Sequence, residues 1–143
     1  MAAVYELGSS PHSVQLEIPA RPEYIRLGRL ALTGLARVRP LSAEVLGDLK
    51  LALTEAWSVR RQSAGSDRTL EIRYELHDEY VVIELSDRDS GFVVDEESAS
   101  RGGELSEPTM ALGIIRALAD ELELGKRGDG SGSRLRFVKR LDT

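Results

Sequence analysis

Two runs of alternating apolar and polar residues constrain the fold of this chain more than any other feature. The runs are "TLEIRYEL" at 69–76 and "YVVIELS" at 80–86, and only the three residues "HDE" separate them. Alternation with a period of two is typical of half-buried strands, and so short a connection joins antiparallel neighbours. We therefore predict a β-hairpin with one face buried beneath another layer of the structure.

The segment before the hairpin predicts a long helix. Apolar side chains recur there at three- and four-residue intervals, which places them on one stripe of an α-helix. Ser42, with an acidic and an apolar residue behind it, predicts the N-cap, and "QSAGSD" at 62–67 predicts the end of the helix. Trp57 lies near the stripe, so we expect it to pack in the core. The members of the stripe are Leu46, Leu49, Leu53 and Ala56.

Glu55 lies on the row next to this stripe. Its neighbours one turn away are Leu51 and Val59, which stack on it in a helix. A carboxylate in that position borders the core, where ionisation is less favourable than in open water. A surface Glu whose stem covers apolar neighbours is the alternative interpretation.

The rest of the chain supplies the remaining elements. "SVQLEIPA" at 13–20 alternates like a strand, a helix runs from Pro22 to about Val38, and a third helix is predicted over 110–121. "RLRFVKR" at 134–140 predicts the last strand. Together with the hairpin, this order predicts an α/β (α+β) fold: a two-layer sandwich with helices packed on one face of a mixed, mostly antiparallel sheet.

Composition narrows the class of protein. A chain of 143 residues suits a single domain over 1–143, with 1–12 as a loose leader. The net charge is −5 with scattered basic residues, so no nucleic-acid surface is predicted. No apolar run is long enough to span a membrane, and the chain contains no Cys, which excludes disulfides and thiolate sites. These features fit a cytoplasmic protein.

Chemistry could reside at the end of the second hairpin strand, in "SDRDSGF". An aspartate-nucleophile phosphatase places an Asp-x-Asp in this setting, but near its N-terminus and with more chain behind it. A calcium loop of the EF-hand type requires other residues than Gly91 and Phe92. Ordinary turn chemistry explains the motif equally well, since Asp, Ser and Gly all favour turns.

Two glycine-containing segments could bind phosphate or form turns. Gly113 in "ALGI" is predicted at the start of a helix, where free N–H groups and the positive end of the dipole attract phosphate. Close packing of the helix on the sheet is the alternative for this glycine. "GSGS" at 130–133 is either part of a site or a flexible hairpin turn.

Taken in order, these features resemble the nucleotide-binding domain of type II topoisomerases, a heat-shock chaperone and histidine kinases. Within that superfamily the chain most resembles the bacterial anti-sigma factor serine kinases. The resemblance extends from "VQLEIPARPEYIRLGRLALTGLA" at 14–36 through "DLKLALTEA" at 48–56 to "GSRLRFVKR" at 132–140. It implies a Bergerat-type ATP-binding fold. It also implies a regulator of transcription in the stress response, which holds a sigma factor inactive and phosphorylates a serine on an anti-anti-sigma protein.

The resemblance implies a role for each matching residue. Glu55 stands where the family has its general base. Asp87 stands where an aspartate accepts a hydrogen bond from the adenine amino group. The segment 93–109 corresponds to the ATP lid. The glycines that face the base or the phosphates, and the hydroxyl beside them, correspond to Gly91, Gly113, Gly132 and Ser133.

The sequence departs from the family at the nucleotide. The Asn that binds Mg²⁺ is replaced by Val59, which has no oxygen ligand, so no metal ligand is predicted and Mg²⁺ is doubtful. Ser63 replaces a frequent His, Asp89 replaces the first glycine of the Asp-x-Gly-x-Gly turn, and Ala111 replaces a lid glycine. ATP binding stays open and catalysis is doubtful.

Two arginines follow Val59. Arg60 and Arg61 are predicted as surface residues. The alternative is that their guanidinium groups partly replace the charge of the missing metal at the phosphates.

Three interpretations of function follow. The chain is a working serine kinase with an unusual metal site, a partner-switching binding module without kinase activity or bound nucleotide, or an α/β domain that shares only the scaffold. The predicted partners are a sigma factor and an anti-anti-sigma protein, and the resemblance implies a homodimer. The predicted docking surface is the first helix, with a basic row of Arg26, Arg29 and Arg37.

Overall fold

The computed structural model describes residues 12–65, 67–87, 107–126 and 133–141. Nearly all of the predicted leader lies outside these residues, as does the predicted lid up to residue 106. These described residues contain three α-helices: α1 Ile25–Val38, α2 Ala43–Ala64 and α3 Glu107–Leu118. A short 3-10 turn, Pro22–Tyr24, leads into α1. The strands are β1 His12–Pro19, β2 Thr69–Leu76, β3 Tyr80–Asp87, β4 Glu121–Lys126 and β5 Ser133–Arg140.

The five strands form one sheet in the order β1-β2-β3-β5-β4. The helices cover one face of this sheet, which confirms the predicted two-layer sandwich and the hairpin of β2 and β3. All described pairings are antiparallel, so the mixed character predicted for the sheet was wrong. Strand β4 was not predicted either, since Glu121 was assigned to the end of the preceding helix.

Helix α2 begins and ends where its local signals predict. The Ser42 Oγ accepts a hydrogen bond from the Val45 backbone N–H at 3.1 Å, which satisfies one of the free donors of the first turn. Gly65 follows the helix with a φ of 93°, a conformation that side chains disfavour. Both ends of the central helix are therefore set by the residues next to them.

The core lies between α2 and the central strands. Trp57 is buried, as predicted, and its Nε1–H donates to the Arg21 carbonyl oxygen at 3.0 Å. This bond ties α2 to the segment that leads into α1. The side chains beneath α2 are almost fully shielded from solvent; examples on the sheet are Ile72, Tyr74, Ile83, Leu85, Leu135 and Phe137.

No helix in the described parts of the chain is both long enough and apolar enough to cross a lipid bilayer.

Candidate functional site

Two polar residues lie side by side on the helix-facing side of the sheet. Asp87 ends β3 and Ser133 begins β5, and the antiparallel register pairs them directly. Both side chains point in the same direction as Leu85 and Leu135, because side chains alternate along a strand. Asp87 is 1% exposed and Ser133 is fully buried. The register thus joins a carboxylate and a hydroxyl at one end of the core.

Arg60 on α2 reaches this pair from the opposite layer. Its Nη2 donates a hydrogen bond to the Ser133 Oγ, and only 1% of the residue is exposed. Burial lowers the pKa of the Arg60 guanidinium from its ordinary 12.5 to about 10, while the negative charge of Asp87 acts in the opposite direction. Arg60 is therefore charged at neutral pH, and Asp87 is its nearby counter-charge.

The surface position predicted for Arg60 was wrong, because the residue is 1% exposed. The stripe through Leu49, Leu53 and Ala56 continues at residue 60, four positions further along. Residue 60 therefore falls on the buried face of α2, and its spacing from Ala56 could have predicted that the arginine is buried. Its Nε has no hydrogen-bond partner in the described part of the chain, so the guanidinium is held on its Nη side.

Glu55 and Val59 occupy adjacent turns of α2 with different exposure. Glu55 is half-buried, which agrees with its predicted position at the boundary of the core. Val59 is 2% exposed and belongs to the core cluster. The position from which the family's amide oxygen binds Mg²⁺ is thus filled by a packed isopropyl group.

The glycines expected near the nucleotide are only partly described. Gly91 and Gly132 lie outside the described residues. Helix α3 begins at Glu107, three residues before its predicted start, so Gly113 lies in the middle of the helix. Its N–H is then beyond the first turn, whose N–H groups alone are free. Gly113 faces solvent, and a Cβ added there would meet nothing within 4 Å, which also excludes close helix–sheet packing.

These residues do not fit the nucleotide and metal that the resemblance implies. A magnesium ion needs oxygen ligands, and Val59 offers none. The resemblance implies that Asp87 accepts a hydrogen bond from adenine, but the Arg60 guanidinium is buried at this pair, hydrogen-bonded to Ser133 and with Asp87 as its nearby counter-charge. Glu55 remains half-buried on α2, one turn before Val59.

The outward face of α1 differs from its prediction. Arg26 and Arg37 are exposed, as expected. Arg29 is instead turned toward α2, where its Nη1 donates to the Thr54 Oγ1 at 2.7 Å and to the Lys50 carbonyl oxygen at 3.2 Å. The predicted basic row is therefore reduced to two arginines. Three apolar side chains of the same helix are exposed as well: Leu27 by 45%, Leu30 by 65% and Val38 by 63%.

Residues 18–139 match the family model of the histidine kinase-like ATPase domain. This match covers most of the chain, and the two-layer architecture agrees with it. The chain belongs to this family.

Within the family, several curated relatives are serine-protein kinases named RsbW, which agrees with the predicted resemblance to serine kinases. The chain is 31% identical to the serine-protein kinase RsbW of Listeria innocua over 122 residues, which are 78% of each protein. It is 26% identical to the Bacillus pumilus serine-protein kinase RsbW over 140 residues, covering 89% of this chain and 86% of the relative.

Solved structures share the fold at low sequence identity. A Mycobacterium tuberculosis structure of RsbU and RsbW domains superimposes with a TM-score of 0.65 and 15% identity, over 90% of this chain and 32% of that one. The Pseudomonas aeruginosa SiaB–SiaC complex gives a TM-score of 0.59 at 13% identity, over 90% of this chain and 89% of that one. The latter is a complex of two proteins.

Proposed function

We propose that this chain is a cytoplasmic regulator of the anti-sigma factor class that binds a sigma factor and an anti-anti-sigma protein in turn, without transferring phosphate between them. Its membership in the family of the RsbW kinases supports the partner classes. A homodimer belongs to the proposal because the sequence resemblance implies one.

The observation that carries the loss of phosphoryl transfer is the burial of Val59. The side chain is 2% exposed and packs in the core at the position of the family's metal ligand. Phosphoryl transfer depends on a metal ion to neutralise charge between the phosphates, and a hydrocarbon group cannot hold one. Glu55 could still orient a serine hydroxyl, but without the metal no activated phosphoryl group is present for that hydroxyl to attack.

The outward face of α1 is the surface we assign to partners. Leu27, Leu30 and Val38 are exposed apolar side chains of this helix, and Arg26 and Arg37 are exposed beside them. Apolar side chains at the centre with arginines at the rim are typical of protein interfaces. The expected partner surface is therefore an apolar patch with acidic residues at its edge.

The proposal is tested with purified proteins. The chain is mixed with each sigma factor and each anti-anti-sigma protein encoded in its genome, and complexes are measured by size-exclusion chromatography and calorimetry. We expect one sigma factor and one anti-anti-sigma protein to bind and to displace each other. We also expect no transfer of labelled γ-phosphate from ATP to the anti-anti-sigma protein. Sedimentation of the chain alone reports the homodimer.

A working serine kinase is the second candidate. It is favoured by Glu55, which is half-buried on α2 and so remains partly accessible to solvent. Transfer of labelled phosphate that depends on Mg²⁺ and is lost in Glu55→Gln would establish this candidate and refute the loss of catalysis. Failure of every sigma factor and anti-anti-sigma protein to bind would refute the regulator itself.

A further inference from the structure

The Arg60 guanidinium is buried at the place where the resemblance implies that the adenine base binds. Arg60 is 1% exposed, donates to the Ser133 Oγ and interacts electrostatically with Asp87. A buried charge is stable only when an opposite charge and hydrogen bonds replace its water. Here these replacements are Asp87, which the resemblance assigns to the adenine amino group, and Ser133, which it assigns to the adenine end or the phosphates.

The Arg60 guanidinium and the adenine base offer similar hydrogen-bonding groups. A guanidinium is planar and presents N–H donors at its edge, and the edge of adenine presents an N–H₂ donor beside ring acceptors. A carboxylate that accepts a hydrogen bond from the adenine amino group can accept one from Nη instead. The guanidinium adds a positive charge, which a carboxylate binds more strongly than a neutral donor.

We propose that Arg60 is an internal occupant of the adenine subsite, hydrogen-bonded to Ser133 and with Asp87 as its counter-charge, and that it closes that subsite to nucleotides. This inference deepens the proposed function and rests on it, because the proposed function supplies the assignment of the adenine subsite. It gives a reason to expect no nucleotide binding that is independent of Val59. The adenine subsite is filled by the guanidinium whether or not a metal ligand is present.

Removal of the guanidinium tests the proposal directly. Binding of adenosine, which carries no phosphate and needs no metal, is measured by calorimetry and by the emission of Trp57, which lies three residues before Arg60 on α2. The wild-type chain and Arg61→Ala, a matched control one residue further along, are expected to show no binding at millimolar adenosine. Arg60→Ala is expected to bind adenosine at least tenfold more tightly.

Either of two results overturns the proposal. One is adenosine binding by the wild-type chain with the affinity of Arg60→Ala, since the subsite would then be open. The other is a folded Arg60→Ala that binds adenosine no better than wild type, because Arg60 would then not be the group that closes the subsite.

A second measurement covers the case in which Arg60→Ala does not fold. Arg60→Met keeps most of the side-chain length and removes the charge, and it is combined with Asp87→Asn in a double-mutant cycle of urea unfolding. We expect the effects of the two changes on the unfolding equilibrium constant to deviate from additivity by at least tenfold. Arg61→Met combined with Asp87→Asn should be additive. Additivity in the first cycle would overturn the assigned pairing of Arg60 with Asp87.

The two proposals fail in different experiments. Sigma factor and anti-anti-sigma binding can fail while Arg60 still excludes adenosine, in which case the partners are wrong and the occupied subsite stands. Adenosine binding by the wild-type chain refutes the occupant and leaves the measured partners unchanged.

Discussion

The Tyr74 hydroxyl on β2 donates a hydrogen bond to the Gly28 carbonyl oxygen on α1 at 2.9 Å. Both residues are buried, so the first helix is held on the sheet by a bond that solvent does not reach. A Cβ added to Gly28 would lie 3.0 Å from the Tyr74 hydroxyl oxygen and 3.3 Å from the Ile72 Cδ1. Helix and sheet approach closely because this position has no side chain.

We predict that Gly28→Ala destabilises the fold. The added methyl group must displace a tyrosine that is fully buried and hydrogen-bonded. Overpacking is expected to outweigh the better helix propensity of Ala, for a net loss of about 1 kcal/mol in the free energy of unfolding. Gly34→Ala on the exposed face of the same helix meets nothing within 4 Å and should gain about 0.5 kcal/mol. Urea unfolding of both variants measures this, and equal effects would contradict the close contact.

We predict that Tyr74 causes a loss of stability above pH 10. Burial raises the pKa of Tyr74 well above its ordinary 10.0, so the folded chain keeps the proton when the unfolded chain releases it. The stability from the neutral hydroxyl is therefore complete below pH 10 and falls as the pH rises above it. In Tyr74→Phe this contribution should be absent, and stability should fall less steeply. Urea unfolding between pH 8 and pH 11 compares the two, and identical slopes would contradict the prediction.

We predict that restoring the family's metal ligand alone does not restore nucleotide binding. Val59→Asn places an amide in a position that is 2% exposed and should cost about 2 kcal/mol in the free energy of unfolding. Thermal unfolding with millimolar ATP should show no stabilisation that depends on Mg²⁺, because Arg60 still fills the base subsite. Ser58→Asn, on the half-buried neighbouring position, is the control for the added amide. A Mg²⁺-dependent rise in the unfolding temperature of the single variant Val59→Asn would contradict the prediction.

We predict that Leu30 is required for partner binding but not for folding. The side chain is 65% exposed, so Leu30→Glu should change the free energy of unfolding by less than about 0.5 kcal/mol. Its affinity for the sigma factor or the anti-anti-sigma protein should fall more than tenfold, because a carboxylate would enter an apolar contact. Arg73→Glu on the opposite face of the sheet is the control and should bind as wild type does. Unchanged binding by Leu30→Glu would remove α1 from the docking surface.

The parts of the fold that the sequence predicted are those with local causes. Ser42 caps α2 through its own third neighbour, and Gly65 ends the helix through its own φ angle. The hairpin of β2 and β3 follows from alternation on both sides of a three-residue connection. In each case the residues that determine the structure lie within a few positions of one another.

The remaining features depend on residues far apart in the chain. Only two residues separate the end of α3 at Leu118 from the start of strand β4 at Glu121, and a helical period over so few residues does not exclude a strand. The position of Arg60 depends on the register that sets Asp87 beside Ser133, 46 residues later. Arg60 was predicted at the surface although the helical stripe extends to its position, because the stripe alone does not reveal the distant carboxylate and hydroxyl that make burial of an arginine tolerable.

A ligand that is part of the chain differs from one that diffuses. The Arg60 guanidinium is tethered within reach of Ser133, so its effective concentration there is fixed by the backbone of α2 and cannot be lowered by dilution. Occupancy of the site is then the same at every ratio of ATP to ADP. For the regulator proposed above, we therefore expect release of the sigma factor to depend on competition between protein partners and not on the energy charge of the cell.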